Sequence, residues 1–189
     1  MAIAFRLQGE SGNGQEAVMR ARNWAIGAVA TALLSFSGQA QAQAQTIRAV
    51  MHADIKIIDP IWTSAYNVRN YGYMVYDTLL AMDENLVVRP QMLEGWKISD
   101  DKLTYTFTLR DGLKFHDGAP VTSADCIASL QRWAPKDAMG QKLFSLVKEL
   151  KPVDDKSFTM VLTEPYGLVL ESLGKPSSTV PFIMPKRVA

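Results

Sequence analysis

Two histidines, a single cysteine and two pairs of adjacent aspartates are the side chains here with the clearest capacity for chemistry. Their spacing does not assemble it. His52 and His116 are far apart, and His116 runs into Asp117-Gly118, a turn signal. A metal centre needs three or four ligands at recognisable spacing, and no HEXXH run is present. No G-x-S-x-G elbow offers a serine nucleophile, and no glycine-rich phosphate loop follows a strand. Asp100-Asp101 and Asp154-Asp155 fall in polar turns, where aspartate hydrogen-bonds locally. Cys126 alone makes no internal disulfide and fits a small core residue on the inner side of a helix. Catalysis is therefore the weakest reading, and neither a cofactor nor a metal is expected.

The elements that would position any site are clearer. Leu103, Tyr105, Phe107 and Leu109 alternate with Thr104, Thr106, Thr108 and Arg110, the period of a half-buried strand. Trp96 and Ile98 alternate with Lys97 before the polar turn at 99–102, so residues 95–110 predict an antiparallel hairpin with one apolar face. Asp111-Gly112 and Asp117-Gly118 bracket a short edge element, Lys114-Phe115-His116. Thr122 and Asp125 fit a capping box for a helix that carries Cys126, Leu130 and Trp133 on one face.

Elsewhere the pattern predicts a strand at 46–51 and a helix at 68–80 with Val68, Tyr71, Val75 and Leu79 on its apolar face. A tight turn between short strands follows at 80–88. A second helical stretch covers 135–150 and overlaps a strand candidate at 148–153. A strand at 157–162 points Phe158, Met160 and Leu162 one way. A short helix at 166–173 has Gly174 as its C-terminal cap, and 177–185 is extended. The 154–156 turn and the strand after it echo the first hairpin, as two hairpins of one sheet would. The fold class expected is α+β, a mixed or antiparallel sheet with flanking helices.

The order of residues through 95–133 resembles the signature region of the extracellular solute-binding protein family 5, the dipeptide-, oligopeptide- and nickel-binding receptors of ABC importers. The resemblance rests on Gly95-Trp96, Asp100, Thr104-Tyr105-Thr106-Phe107, Leu109-Arg110, Gly112, Lys114 to Gly118, Pro120-Val121-Thr122 and Asp125. Tyr76-Asp77-Thr78-Leu79 and Pro90 add to it. It covers residues 46–189 and implies the N-terminal part of a two-lobed type II periplasmic binding protein fold. Full receptors of the family are roughly three times longer than this exported part, so the resemblance also implies a truncated chain, not ligand-competent alone. By position in the family, the loop ending at Asp59-Pro60 touches ligand, which points to Ala53, Asp54 and Ile55. A plain loop with a solvated Asp54 is the other reading of those residues. Trp62 is a further ligand-contact candidate, with core as its alternative, and Tyr66 is read as core. The partners implied are a small peptide or related solute (nickel chelates, haem, opines and sugars are carried by relatives) and ABC permease subunits in the inner membrane, with the receptor a monomer. The signature segment itself reads as scaffold. A secreted α+β interaction module without a transport role is the alternative.

The N-terminus carries its own signal. Arg20 and Arg22 precede an uncharged apolar run, 24–36, and then small-x-small cleavage choices around Ala40 to Ala44. Residues 19–44 predict a secretory signal peptide; the run is shorter than the roughly 20 apolar residues of a spanning helix. Residues 1–18 read as a disordered leader or a mis-annotated extension ahead of Met19, and 45–189 as the exported family domain, placed in a periplasm. Overall the formal charge is +1. With no Lys/Arg run, nucleic acid is not expected as a partner.

Overall fold

The alternating strand Thr104–Leu109 is the centre of the architecture. The computed structural model describes residues 48, 50 and 53–189, of which 50–189 form one compact unit. The leader expected at 1–18, the signal peptide expected at 19–44 and His52 lie outside the described residues, as does most of the strand expected at 46–51.

In chain order the elements are α1 (Tyr66–Val75), β1 (Asp77–Thr78), β2 (Leu80–Met82), β3 (Val88–Pro90), β4 (Leu93–Ile98), β5 (Thr104–Leu109), α2 (Ser123–Trp133), a 3-10 turn (Ala134–Lys136), α3 (Ala138–Leu146), β6 (Val147–Pro152), β7 (Ser157–Leu162), α4 (Val169–Gly174) and β8 (Phe182–Ile183). The main sheet has the order β4-β5-β7-β6, antiparallel throughout. The two expected hairpins therefore meet through their second strands. Tyr105 pairs with Met160 and Phe107 with Phe158. Directly paired residues share a face, so Tyr105, Phe107, Leu109, Phe158, Met160 and Leu162 form one buried layer while Thr104, Thr106 and Thr108 lie half-buried on the other side. The rings of Phe107 and Phe158 sit 5.2 Å apart.

Helix α2 lays Cys126, Leu130 and Trp133 in the core. Its start is defined by Asp125, whose Oδ2 accepts from the Thr122 backbone N–H at 2.9 Å and from the Thr122 hydroxyl at 2.7 Å. Ser123 then ties the helix to the β6–β7 turn, its N–H donating to the Asp155 carbonyl at 2.8 Å. The turns at Gly112 and Gly118 have φ of 77° and 84°, a region that suits glycine because it lacks Cβ.

The sequence pattern misjudged three boundaries and one side chain. The helix expected at 68–80 ends at Val75: Tyr76 is extended, and Asp77–Thr78 pairs with Phe182–Ile183. The buried Leu79 and Leu80 thus reach the core from extended backbone. The helix expected at 135–150 ends at Leu146, because Val147–Pro152 satisfies its backbone on the free edge of β7; the strand candidate there was the correct half of that overlap. Gly174 is the last residue of α4, not a cap beyond it, and an added Cβ would lie 3.1 Å from Val88, so close packing is what it serves. Tyr66 is exposed rather than core, with the Arg69 guanidinium 4.7 Å above its ring.

Candidate functional site

The sequence-predicted residues Ala53, Asp54 and Ile55 lie on an exposed, irregular loop, 53–58, before the buried Pro60 and Ile61. Trp62 follows, 62% exposed, with the Lys136 ammonium 4.4 Å from its ring centroid. A cation at that distance is attracted by the ring's electron-rich face, so one face of Trp62 is covered and it is not core.

The loop is held from behind. Asn67, at the start of α1, is buried, and its Nδ2 donates to the Asp54 carbonyl at 2.8 Å and to the Ala53 carbonyl at 3.4 Å. At the other end the Arg132 guanidinium donates to both oxygens of Asp59, 2.5 Å from Nη2 to Oδ2 and 3.3 Å from Nη1 to Oδ1. Asp59 Oδ1 also accepts from the Ile61 N–H at 3.0 Å. Neither Asn67 nor Arg132 was among the expected site residues. The Asp59-Pro60 pair was a visible signal, but nothing in the sequence links Asp59 to an arginine 73 positions later.

A separate groove of about 390 Å³ opens beside the signature turn, between Phe115, His116 and Asp117 on one side and Tyr76, Asp77 and Arg187 on the other. None of the four predicted site residues lines it. Arg187 Nη2 donates to Asp117 Oδ2 at 2.6 Å, and the Ala119 N–H and this arginine hold the Asp117 carboxyl below its usual range. Its charged rim is thus partly neutralised within the chain.

No cluster of three or more histidine, cysteine or acidic side chains suited to a metal occurs among the described residues. Burial pushes the Cys126 thiol up to about 12, with the Asp125 carboxylate acting in the same direction. A thiol so protonated is no nucleophile. His116 is an exposed turn residue. The geometry is that of a surface that holds backbone and apolar groups in place, with no assembled proton-transfer or nucleophilic set among the described residues.

The family described as Bacterial extracellular solute-binding proteins, family 5 Middle, matches residues 87–187. Over 145 residues the chain is 41% identical to the Sinorhizobium fredii protein named Probable peptide ABC transporter periplasmic-binding protein y4tO, covering 77% of this chain and 27% of that one. It is 32% identical over 107 residues to the Salmonella typhi glutathione-binding protein GsiB, covering 56% and 21%. Among solved structures it resembles MoaA of A. tumefaciens R10 in complex with mannopinic acid, with a TM-score of 0.62 and 25% identity over 71% of this chain and 28% of that one. The chain spans about a quarter of the length of these relatives. The described α+β unit, with its antiparallel sheet and the short β1–β8 ladder, is thus part of the type II periplasmic binding protein fold. The match through the hairpin, the signature turn and α2, over more than half the sequence, makes this chain a member of the bacterial extracellular solute-binding proteins, family 5.

Proposed function

We propose that this chain is part of a periplasmic receptor that delivers peptides or related solutes to an ABC importer, and that loop 53–58 is its ligand-facing element. The observation that carries the reading is a loop fixed from the protein side, by Asn67 and by Asp59 with Arg132, whose own side chains project into solvent. Peptide is the favoured ligand class because the two relatives above are named for a peptide and for glutathione. The chain acts as a binding component, not an enzyme. In this reading residues 19–44 direct export, 45–189 form the family domain, and the receptor works as a monomer that docks on permease subunits. Ligand acts by favouring a closed arrangement of two lobes, which requires tighter binding to the closed form than to the open one. Ala53, Asp54, Ile55 and Trp62 supply one side of that contact.

Photolabelling tests the site. A tripeptide carrying a diazirine side chain is presented at millimolar concentration and irradiated, and the label is mapped by mass spectrometry. Labelling should concentrate on residues 53–62 and fall when excess glutathione competes. Label spread over the surface, or centred on the groove beside His116, overturns the assignment.

A further inference from the structure

We infer that Asn67, Asp59 and Arg132 are positioning residues, the two posts of a clip that fixes residues 53–59 in one conformation before any ligand arrives. The function of the clip rests on the ligand-loop reading above; its existence does not.

The first post uses all of one amide. Asn67 Nδ2 serves two consecutive loop carbonyls, and Oδ1 accepts from the Val68 N–H at 3.0 Å. The second post is a two-pronged ion pair, a geometry that fixes orientation as well as distance. Arg132 stands in the last turn of α2, where a cation also suits the helix dipole. That helix is itself rooted: Trp133 Nε1 donates to the Thr179 carbonyl at 2.8 Å, and the Ser129 hydroxyl accepts from the Met184 N–H at 2.8 Å. The arginine is thus presented by a rigid element of the signature segment. Between the posts, Ile55, Ile57 and Ile58 stay 36%, 42% and 65% exposed. A loop left free would lose about 1–2 kcal/mol of backbone entropy per residue on being ordered by ligand. A loop already ordered avoids that loss, which is the meaning of preorganisation.

Lys56 lies between the posts and is the first lysine of the sequence. A lysine-specific endoproteinase therefore reports on the clip without disturbance from changes at arginine. Cleavage of a folded chain follows the population of the locally opened form when opening is fast. Asn67→Ala and Asp59→Asn should each speed cleavage after Lys56 about tenfold, the effect of losing an interaction of roughly 1.4 kcal/mol. Cleavage after Lys102 and Lys156, in the two hairpin turns, should not change. Arg132→Gln, which adds no lysine, should speed cleavage after Lys56 about as much as Asp59→Asn, because it removes the same ion pair. An unchanged rate at Lys56 overturns the proposal. So does a rise shared by all three lysines, which reports general loosening. If Lys56 responds as expected while the wild-type loop takes no photolabel, the clip stands and the ligand-loop reading falls. If the loop takes label and Lys56 does not respond, the ligand reading stands without the clip.

Discussion

At the scale of single residues, the chain spends its buried polar groups on holding backbone. Asp137 caps α3 by accepting from the Met139 and Gly140 N–H groups at 3.0 and 3.1 Å, and its other oxygen pairs with Lys175. The Asp137 side chain is 1% exposed and that of Lys175 11%. Breaking one side of a buried pair leaves a charge without compensation, so Asp137→Asn should lower stability by about 3 kcal/mol, read as a lower urea midpoint with an unchanged slope. Lys175→Met should cost less than Asp137→Asn, since Asp137 keeps its two backbone donors. Cys126 makes a different prediction. Its thiol, raised to about 12 by burial, should resist iodoacetamide at pH 8 in the native chain and react once urea unfolds it. The same shift gives a sign for alkaline pH. The unfolded thiol ionises near 9.0 while the folded one does not. The unfolded state therefore binds fewer protons above that pH, and stability falls as pH rises from 9 towards 12. Cys126→Ala should flatten that decline in a pH series of urea midpoints; an identical decline in the variant refutes the assignment.

At the scale of elements, what the sequence showed and what it hid divide by range. The β4–β5 hairpin, the β7 strand, the capping box and the two glycine turns are local patterns, each completed within a few residues, and the alternation Tyr105-Thr106-Phe107-Thr108-Leu109 names its own buried face. The failures are long-range. Residues 76–80 look helical by spacing, yet β1 is extended because Phe182–Ile183 offers it a ladder from the far end of the chain. Val147 leaves helical backbone because the edge of β7 must be paired. Asn67 falls just before the helix expected at 68–80, and its task appears only once the 53–54 backbone lies against it. Gly72 concentrates the same lesson. It lies in α1, with φ outside the left-handed region, and needs no conformational freedom. A Cβ there would lie 2.7 Å from the Phe182 ring and 2.9 Å from Pro60 Cβ. Gly72→Ala should therefore destabilise by about 1–3 kcal/mol through overpacking, although alanine is the better helix former by about 1 kcal/mol. A thermal midpoint that rises instead would show that propensity outweighs packing and that α1 is free to move away from β8.

At the scale of the whole molecule, the question is what one compact unit achieves as a binder. A small-molecule site encloses its ligand, burying roughly 70–90% of the ligand surface. Loop 53–58 is exposed at every position, and none of its residues lines the groove of about 390 Å³. A ligand resting there touches one side only. On the proposed reading the clip would remove part of the ordering cost without adding a second surface, and the proposed contact side chains, Ala53, Asp54, Ile55 and Trp62, are few. Nor does long-range charge assist, since the formal net charge is +1 and field-driven concentration of ligand needs a strongly one-signed surface. We therefore expect glutathione and trialanine to bind this chain with dissociation constants of about 1 mM or weaker, near −4 kcal/mol. Isothermal titration at about 100 μM protein should give no resolvable heat, while chemical shifts of the 53–62 amides move with millimolar ligand. The same sample must melt cooperatively by circular dichroism, so that silence in the calorimeter reports the open site and not an unfolded chain. Micromolar binding would overturn the open-site argument: it would mean that the loop and its clip suffice, and that closure by a second lobe adds selectivity or docking rather than the bulk of the affinity.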